Sequence, residues 1–149
     1  MKLTKQVAVD LMAAMKNQDK GKLDALRSLK TAFILAKTET GATDLADEDE
    51  LKIVQKLIKQ RKDSAAEYKA NNRADLAEKE LSEAEVLSAY LPKQMSVEEL
   101  EAALKTIMAE VGATSMKDMG KVMGVATKRL AGLAEGRLIS SLVKKMLAQ

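Results

Sequence analysis

Apolar residues recur every three or four positions along almost the entire chain, and this spacing constrains the fold more than any other feature. The first repeat comprises Leu3, Val7, Leu11, Met12 and Met15, which fall on one side of a helix. The 149 residues include only three aromatic side chains and one proline. Because strands draw on aromatic and β-branched residues, this composition argues against a β-rich fold. The pattern therefore predicts an all-α protein.

The repeats divide the first 91 residues into about four predicted helices. Gly21 interrupts the pattern between the first and the second helix, and the second should stop before Gly41. The third begins with the acidic run 47–50, whose carboxylates oppose the positive end of the helix dipole. The fourth starts near Arg73. Pro92, the single proline, ends this part of the chain.

The remaining residues predict a smaller subdomain of three helices. Ser96 and Glu99 have the spacing of a capping box, so a helix should start directly after Ser96. Gly112 can supply the left-handed residue that ends it. The next helix spans roughly 115–130, and the last begins near Glu135. We expect an N-terminal helical subdomain over residues 1–91 and a C-terminal three-helix subdomain over 92–149.

Positive charge is concentrated near the C-terminus. Residues 1–91 carry sixteen basic and sixteen acidic side chains, whereas residues 113–149 carry seven basic and only two acidic ones. Such asymmetry bears on binding partners and not on the fold. It favours an anionic partner such as RNA.

At 100° per residue, the predicted helix over 115–130 has one cationic and one apolar face. Lys117, Lys121, Gly124 and Lys128 form a narrow stripe opposite a cluster of apolar residues: Met119, Val122, Met123, Ala126 and Leu130. The candidate nucleic-acid-binding residues are these four stripe residues together with Arg129 and Arg137. Lys144 and Lys145 are also explained by the negative end of the last helix dipole.

Gly124 has two interpretations. Its missing side chain could let a sugar-phosphate backbone approach the helix closely. Alternatively Gly124, like Gly120 one turn earlier, could allow another helix to pack tightly, which is the commoner compensation for the roughly 1 kcal/mol that glycine costs in a helix.

The composition excludes several kinds of chemistry. The chain has no cysteine and no histidine, and so no thiolate nucleophile, no histidine base and no ordinary zinc or haem site. No phosphate-binding Gly-x-x-x-x-Gly-Lys-Ser/Thr loop is present. We expect no catalytic residues, no bound metal and no cofactor. The longest apolar run, 32–36, is far too short to span a bilayer, which predicts a soluble cytoplasmic protein with no membrane partner.

Several motifs together resemble the YqeY family. They are Met15-Lys16 with Asp19, Leu26-Arg27, the run 59–64 (KQRKDS), Arg73 with Asp75-Leu76, Tyr90-Leu91-Pro92 with Gln94, and the run 118–124 (DMGKVMG). The similarity extends in order from about Ala14 to Leu147. The family in turn resembles the tail domain of the B subunit of the glutamine-dependent aspartyl/glutamyl-tRNA amidotransferase, a carbon–nitrogen ligase.

The resemblance implies an all-helical, non-catalytic accessory protein whose partner is tRNA or a tRNA-modifying enzyme. In the amidotransferase the tail helps to hold the tRNA, while ammonia release and amide formation belong to other domains. A helical protein–protein adaptor with a solvated basic face is the alternative. Four positions depart from the family pattern: Lys128 replaces a usual proline, Ala131 and Leu133 replace basic residues around Gly132, and Glu135 replaces an aspartate.

Overall fold

The computed structural model describes residues 2–149, which form seven α-helices and no strand. The all-α prediction is confirmed. The helices are α1 (Leu3–Lys16), α2 (Lys20–Thr40), α3 (Asp47–Ala70), α4 (Ala74–Ser88), α5 (Val97–Val111), α6 (Met119–Arg129) and α7 (Gly136–Leu147), with a short 3-10 turn at Met116–Asp118 before α6. The chain divides into two compact units, an N-terminal unit over Met1–Leu91 and a C-terminal unit over Pro92–Gln149.

The N-terminal unit consists of α1 to α4 around one apolar core. Helix α4 packs against α3 and α2, and α1 packs against α2. The buried core side chains are Val7, Leu11, Ala14, Ala25, Leu26, Leu29, Phe33, Leu45, Val54, Ile58, Ala84 and Leu87. Met12 and Met15, which share the repeat spacing of α1, are instead 71% and 55% exposed. The repeat thus locates the helix but overstates the width of its buried face.

The break between α1 and α2 lies earlier than predicted. Gly21 is inside the first turn of α2, and the chain reverses at Gln18, which has a φ of +54°. Asp19 then caps α2, because its carboxylate accepts a hydrogen bond from the backbone N–H of Lys22 at 3.2 Å. The prediction that Gly21 interrupts the helices was therefore wrong by a few residues.

Glu50 has a role that the acidic run did not predict. All four carboxylates of residues 47–50 lie in the first turn of α3, as expected. Glu50, however, is only 1% exposed. Its carboxylate accepts from the backbone N–H of Thr4 at 2.9 Å and lies 3.4 Å from the ammonium of Lys2. Through these two contacts Glu50 connects the start of α1 to α3.

The C-terminal unit packs α5, α6 and α7 around a second core. Its buried side chains are Leu100, Leu104, Ile107, Val122, Ala126, Leu130, Ala134, Ile139, Leu142, Val143 and Leu147. The predicted capping box is confirmed, since Glu99 N–H donates to Ser96 Oγ and Ser96 N–H donates to Glu99 Oε1, both at 3.1 Å. Gly112 ends α5 in the left-handed conformation, with a φ of +68°. These local signals thus set both the start and the end of α5.

Within residues 2–149, none of the helices is both long and apolar enough to cross a bilayer.

Candidate nucleic-acid interface

The start of α6 is set by a polar turn. Asp118 Oδ2 accepts from the backbone N–H groups of Thr114 at 2.9 Å and Ser115 at 3.3 Å. These hydrogen bonds, with a contribution from the nearby charge of Lys121, hold the pKa of Asp118 below its ordinary value. Because the turn is of the 3-10 type, Lys117 precedes the α-helix that was predicted to include it.

The exposed face of α6 carries the other three predicted stripe residues. Lys121, Gly124 and Lys128 are all exposed, and their spacing of three and four residues places them on one side of a helix. Val122 and Ala126 on the opposite side are fully buried in the core of the C-terminal unit. We call Lys117, Lys121, Gly124 and Lys128 the basic stripe.

The two glycines of α6 face open space. A Cβ built on Gly120 or Gly124 would have no neighbouring atom within 4 Å among the residues that the structure describes. The interpretation that these glycines allow another helix of the chain to pack closely was therefore wrong. Their backbone is left accessible beside two lysines, and the fold itself gives no reason for glycine there.

This geometry predicts that Gly124→Ala and Gly120→Ala stabilise the protein. Each should raise the free energy of unfolding by about 0.5–1 kcal/mol, because alanine restricts the unfolded chain and fits the helix without a clash. Urea unfolding of the variants would measure this. Gly112→Ala is the matched control, since its positive φ should make the same substitution destabilising. A loss of stability in both α6 variants would show that something packs on the glycines.

Arg129 does not belong to the basic stripe. Its Nη1 lies 2.8 Å from Glu110 Oε2, so that its guanidinium is paired with a carboxylate of α5. Both side chains are about half exposed, and such surface pairs contribute little stability. The pairing nevertheless neutralises much of the charge that Arg129 could offer to a phosphate.

Arg137 lies on a second helix of the same unit. It is exposed in the first turn of α7, where the helix dipole disfavours a cation. Lys144 and Lys145 lie in the last turn of α7, where the dipole favours them. Among the predicted basic residues of α7, Arg137 is therefore the one whose position the helix dipole does not explain.

The connection between α6 and α7 is fixed by hydrogen bonds to its backbone carbonyl groups, which the sequence did not indicate. Gln94 Nε2 donates to the carbonyl oxygen of Gly132 at 2.7 Å, and Met95 N–H donates to that of Leu133 at 2.9 Å. Gly132 is buried with a φ of +77°, and Leu133 packs against the core. The uncharged residues around Gly132 thus belong to a packed turn. The only sequence signal was a glycine able to adopt positive φ.

The basic stripe can attract anions but has no group placed for acid–base chemistry. Over residues 2–149, Lys117, Lys121 and Lys128 have no carboxylate within 4 Å. The same part of the chain contains no cluster of three acidic side chains that could hold a metal ion. The chemistry available here is electrostatic and hydrogen-bonding contact with an anionic partner.

Curated yeast proteins are similar to this chain. Proteins named "Altered inheritance of mitochondria protein 41, mitochondrial" share 38% identity over 102 residues in Candida glabrata, 35% over 123 residues in Saccharomyces cerevisiae and 33% over 104 residues in Lachancea thermotolerans. The alignments cover 68%, 76% and 68% of this chain and 55%, 66% and 56% of those proteins, respectively. The chain thus spans only part of the length of these relatives.

The relatives contradict the predicted cytoplasmic location. All three are named as mitochondrial proteins. The prediction was wrong in its reasoning, because the lack of a long apolar run does not distinguish one aqueous compartment from another. Mitochondrial targeting segments are amphipathic and not continuously apolar.

A family profile accounts for almost the entire sequence. The profile described as "Yqey-like protein" matches residues 4–147, which include every helix except the first residue of α1. The match includes both units and the basic stripe. The chain belongs to the Yqey-like protein family.

Proposed function

We propose that this protein is a non-catalytic accessory module that binds structured RNA of the tRNA class through its C-terminal unit. The observation that carries the proposal is the basic stripe, in which exposed lysines without carboxylate partners flank a glycine whose missing side chain opens onto solvent. Lys117, Lys121 and Lys128 would contact phosphates, and Gly124 would let the sugar-phosphate backbone approach α6. Arg137 would add a contact from α7.

The absence of aromatic side chains from the C-terminal unit supports structured RNA as the ligand. All three aromatic residues, Phe33, Tyr68 and Tyr90, lie in the N-terminal unit. Proteins that bind single strands usually stack bases on aromatic rings, whereas helical RNA is recognised by its shape and its phosphates. A stripe of lysines in a unit without aromatic residues is suited to the recognition of helical RNA through its phosphates.

The family resemblance supports a role beside a tRNA enzyme. The tail of the amidotransferase B subunit helps to hold tRNA while other domains perform the amide transfer. A chain without cysteine, histidine or a nucleotide loop matches the binding part of such an assembly and lacks the groups for the reaction. We propose that the chain assists a tRNA-modifying enzyme and forms no amide by itself.

A comparison of two RNAs tests the proposal. Fluorescence polarisation should show that the full chain binds unfractionated tRNA more tightly than an unstructured single strand of equal length. The difference should be about tenfold or more at low salt, because only the folded RNA presents phosphates at fixed spacing. Equal affinity for both RNAs would contradict recognition of structure. A lack of tRNA binding at low salt would contradict the function itself.

The adaptor hypothesis is limited by the fold. The apolar face of α6 that carries Met119, Val122 and Met123 is one surface that an adaptor could use, but Val122 is fully buried in the core of the C-terminal unit. The open surface at Gly120 and Gly124 on α6 is available for such contact. If the chain is an adaptor, charge reversal at Lys121 and Lys128 should leave capture of its protein partner intact.

A further inference from the structure

A cleft in the N-terminal unit has no role in the proposed function. It lies between α1, the start of α2 and the end of α4, and its volume is about 520 Å³. This is within the range of about 300–1,000 Å³ that small-molecule sites occupy. Two of its lining residues, Asp19 and Tyr90, belong to the motifs that carry the family resemblance.

One side of the cleft holds an oriented carboxylate. The hydroxyl of Tyr90 donates to Asp10 Oδ2 at 2.6 Å, and Gln6 Nε2 donates to Asp10 Oδ1 at 2.9 Å. Burial, followed by the hydrogen bond to Asp10, raises the pKa of Tyr90, so that its hydroxyl remains a donor. Asp10 is half-buried, and no cationic side chain of residues 2–149 lies within 4 Å of it. The cleft therefore presents a fixed negative charge without a counter-ion.

The same cleft is also lined by a cation that forms no ion pair in the described chain. Lys22 is exposed in the first turn of α2, and no carboxylate of residues 2–149 lies within 4 Å of its ammonium. Asp19 contacts the backbone N–H of Lys22 and not its side chain. An adjoining depression of about 440 Å³ shares Asp19 and Lys22 and adds Glu85. Ala13 and Val86 supply an apolar wall.

We propose that this cleft binds a free α-amino acid. The ammonium of the ligand pairs with Asp10, its carboxylate pairs with Lys22, and its side chain contacts Ala13 and Val86. A zwitterion pairs with Asp10 and Lys22 at once, whereas a simple anion or cation leaves one of these two side chains unpaired. Asp19, the third charged residue that lines the cleft, caps the start of α2. This site is independent of the RNA-binding function of the C-terminal unit.

NMR titration of the full chain tests the proposal, with L-leucine as the probe up to about 10 mM. We expect saturable shifts of the backbone amides of Gln6, Asn17, Lys22 and Tyr90. Isopentylamine and 4-methylpentanoate each keep only one of the two charges and should bind about tenfold or more weakly. The absence of saturable shifts at these residues would overturn the proposal. Equal binding of a singly charged analogue would also overturn it.

Two variants and one control test whether Lys22 and Asp10 pair with the two charged groups of the ligand. Lys22→Gln and Asp10→Asn should each weaken L-leucine binding about tenfold or more, because each removes one ion pair. Lys20→Gln removes a cation from the same helical turn outside the cleft and should change affinity less than about twofold. If Asp10→Asn perturbs the fold because it weakens the hydrogen bond with Tyr90, the Lys22→Gln variant still tests the proposed site. Unchanged affinity in Lys22→Gln would contradict the site.

Discussion

Exchange of both Lys121 and Lys128 for glutamate is expected to weaken tRNA binding about 100-fold at low salt, because each lysine–phosphate contact contributes roughly 1.5 kcal/mol. Both side chains are exposed on α6 and have no carboxylate partner in the described structure. The substitutions should therefore leave the fold intact. A filter-binding or polarisation titration of the purified variant measures the effect.

Lys144→Glu with Lys145→Glu is the matched control, since it changes the net charge of the protein by the same amount. These lysines lie in the last turn of α7, where the helix dipole explains them without a ligand. We expect the control to lose only about threefold to tenfold in affinity through the general loss of positive charge. Equal losses in the two double variants would mean that tRNA responds to net charge and does not bind the basic stripe.

Leu104→Ala is expected to lower the free energy of unfolding of the C-terminal unit by about 2–5 kcal/mol. Leu104 is fully buried among residues of α5, α6 and α7. The unit covers only Pro92–Gln149, and small cores leave little stability in reserve. Amide hydrogen exchange should therefore show a large loss of protection in these three helices. Loss of order in α6 should also abolish tRNA binding, because the basic stripe depends on that helix.

Val97→Ala is the control for this prediction, because Val97 is 43% exposed at the start of α5. It should cost less than about 1 kcal/mol. If Leu104→Ala and Val97→Ala had the same small effect, the side chain of Leu104 would not be part of a packed core. The packing of the C-terminal unit described above would then be wrong.

Features set by neighbouring residues could be predicted from the sequence, whereas features set by distant ones could not. The capping box of Ser96 and Glu99 and the left-handed Gly112 act within one helical turn, and both occur as predicted. Glu50 is buried by its contact with Thr4, which lies 46 residues away. Periodicity along α3 contains no information about that partner, and so Glu50 could not be distinguished from the acidic residues beside it.

The candidate site shows the same division. The cationic and apolar faces of α6 follow from spacing alone, so the positions of Lys121 and Lys128 could be predicted. Whether the guanidinium of Arg129 forms an ion pair depends on Glu110, a residue of α5 that the fold places next to it. Whether Gly124 faces a neighbouring helix or solvent depends on the packing of the complete chain. The sequence left open whether another helix packs on Gly124, and the fold excludes such packing among the described residues.

The salt dependence of tRNA binding tests the central claim most directly, because each phosphate that a lysine neutralises releases counter-ions. For the wild-type protein, the logarithm of the association constant should fall steeply and linearly with the logarithm of the salt concentration. Lys121→Gln with Lys128→Gln should make this slope shallower by about two, or one for each lost phosphate contact. A salt-insensitive interaction, or the same slope in both proteins, would contradict the claim that the basic stripe binds RNA.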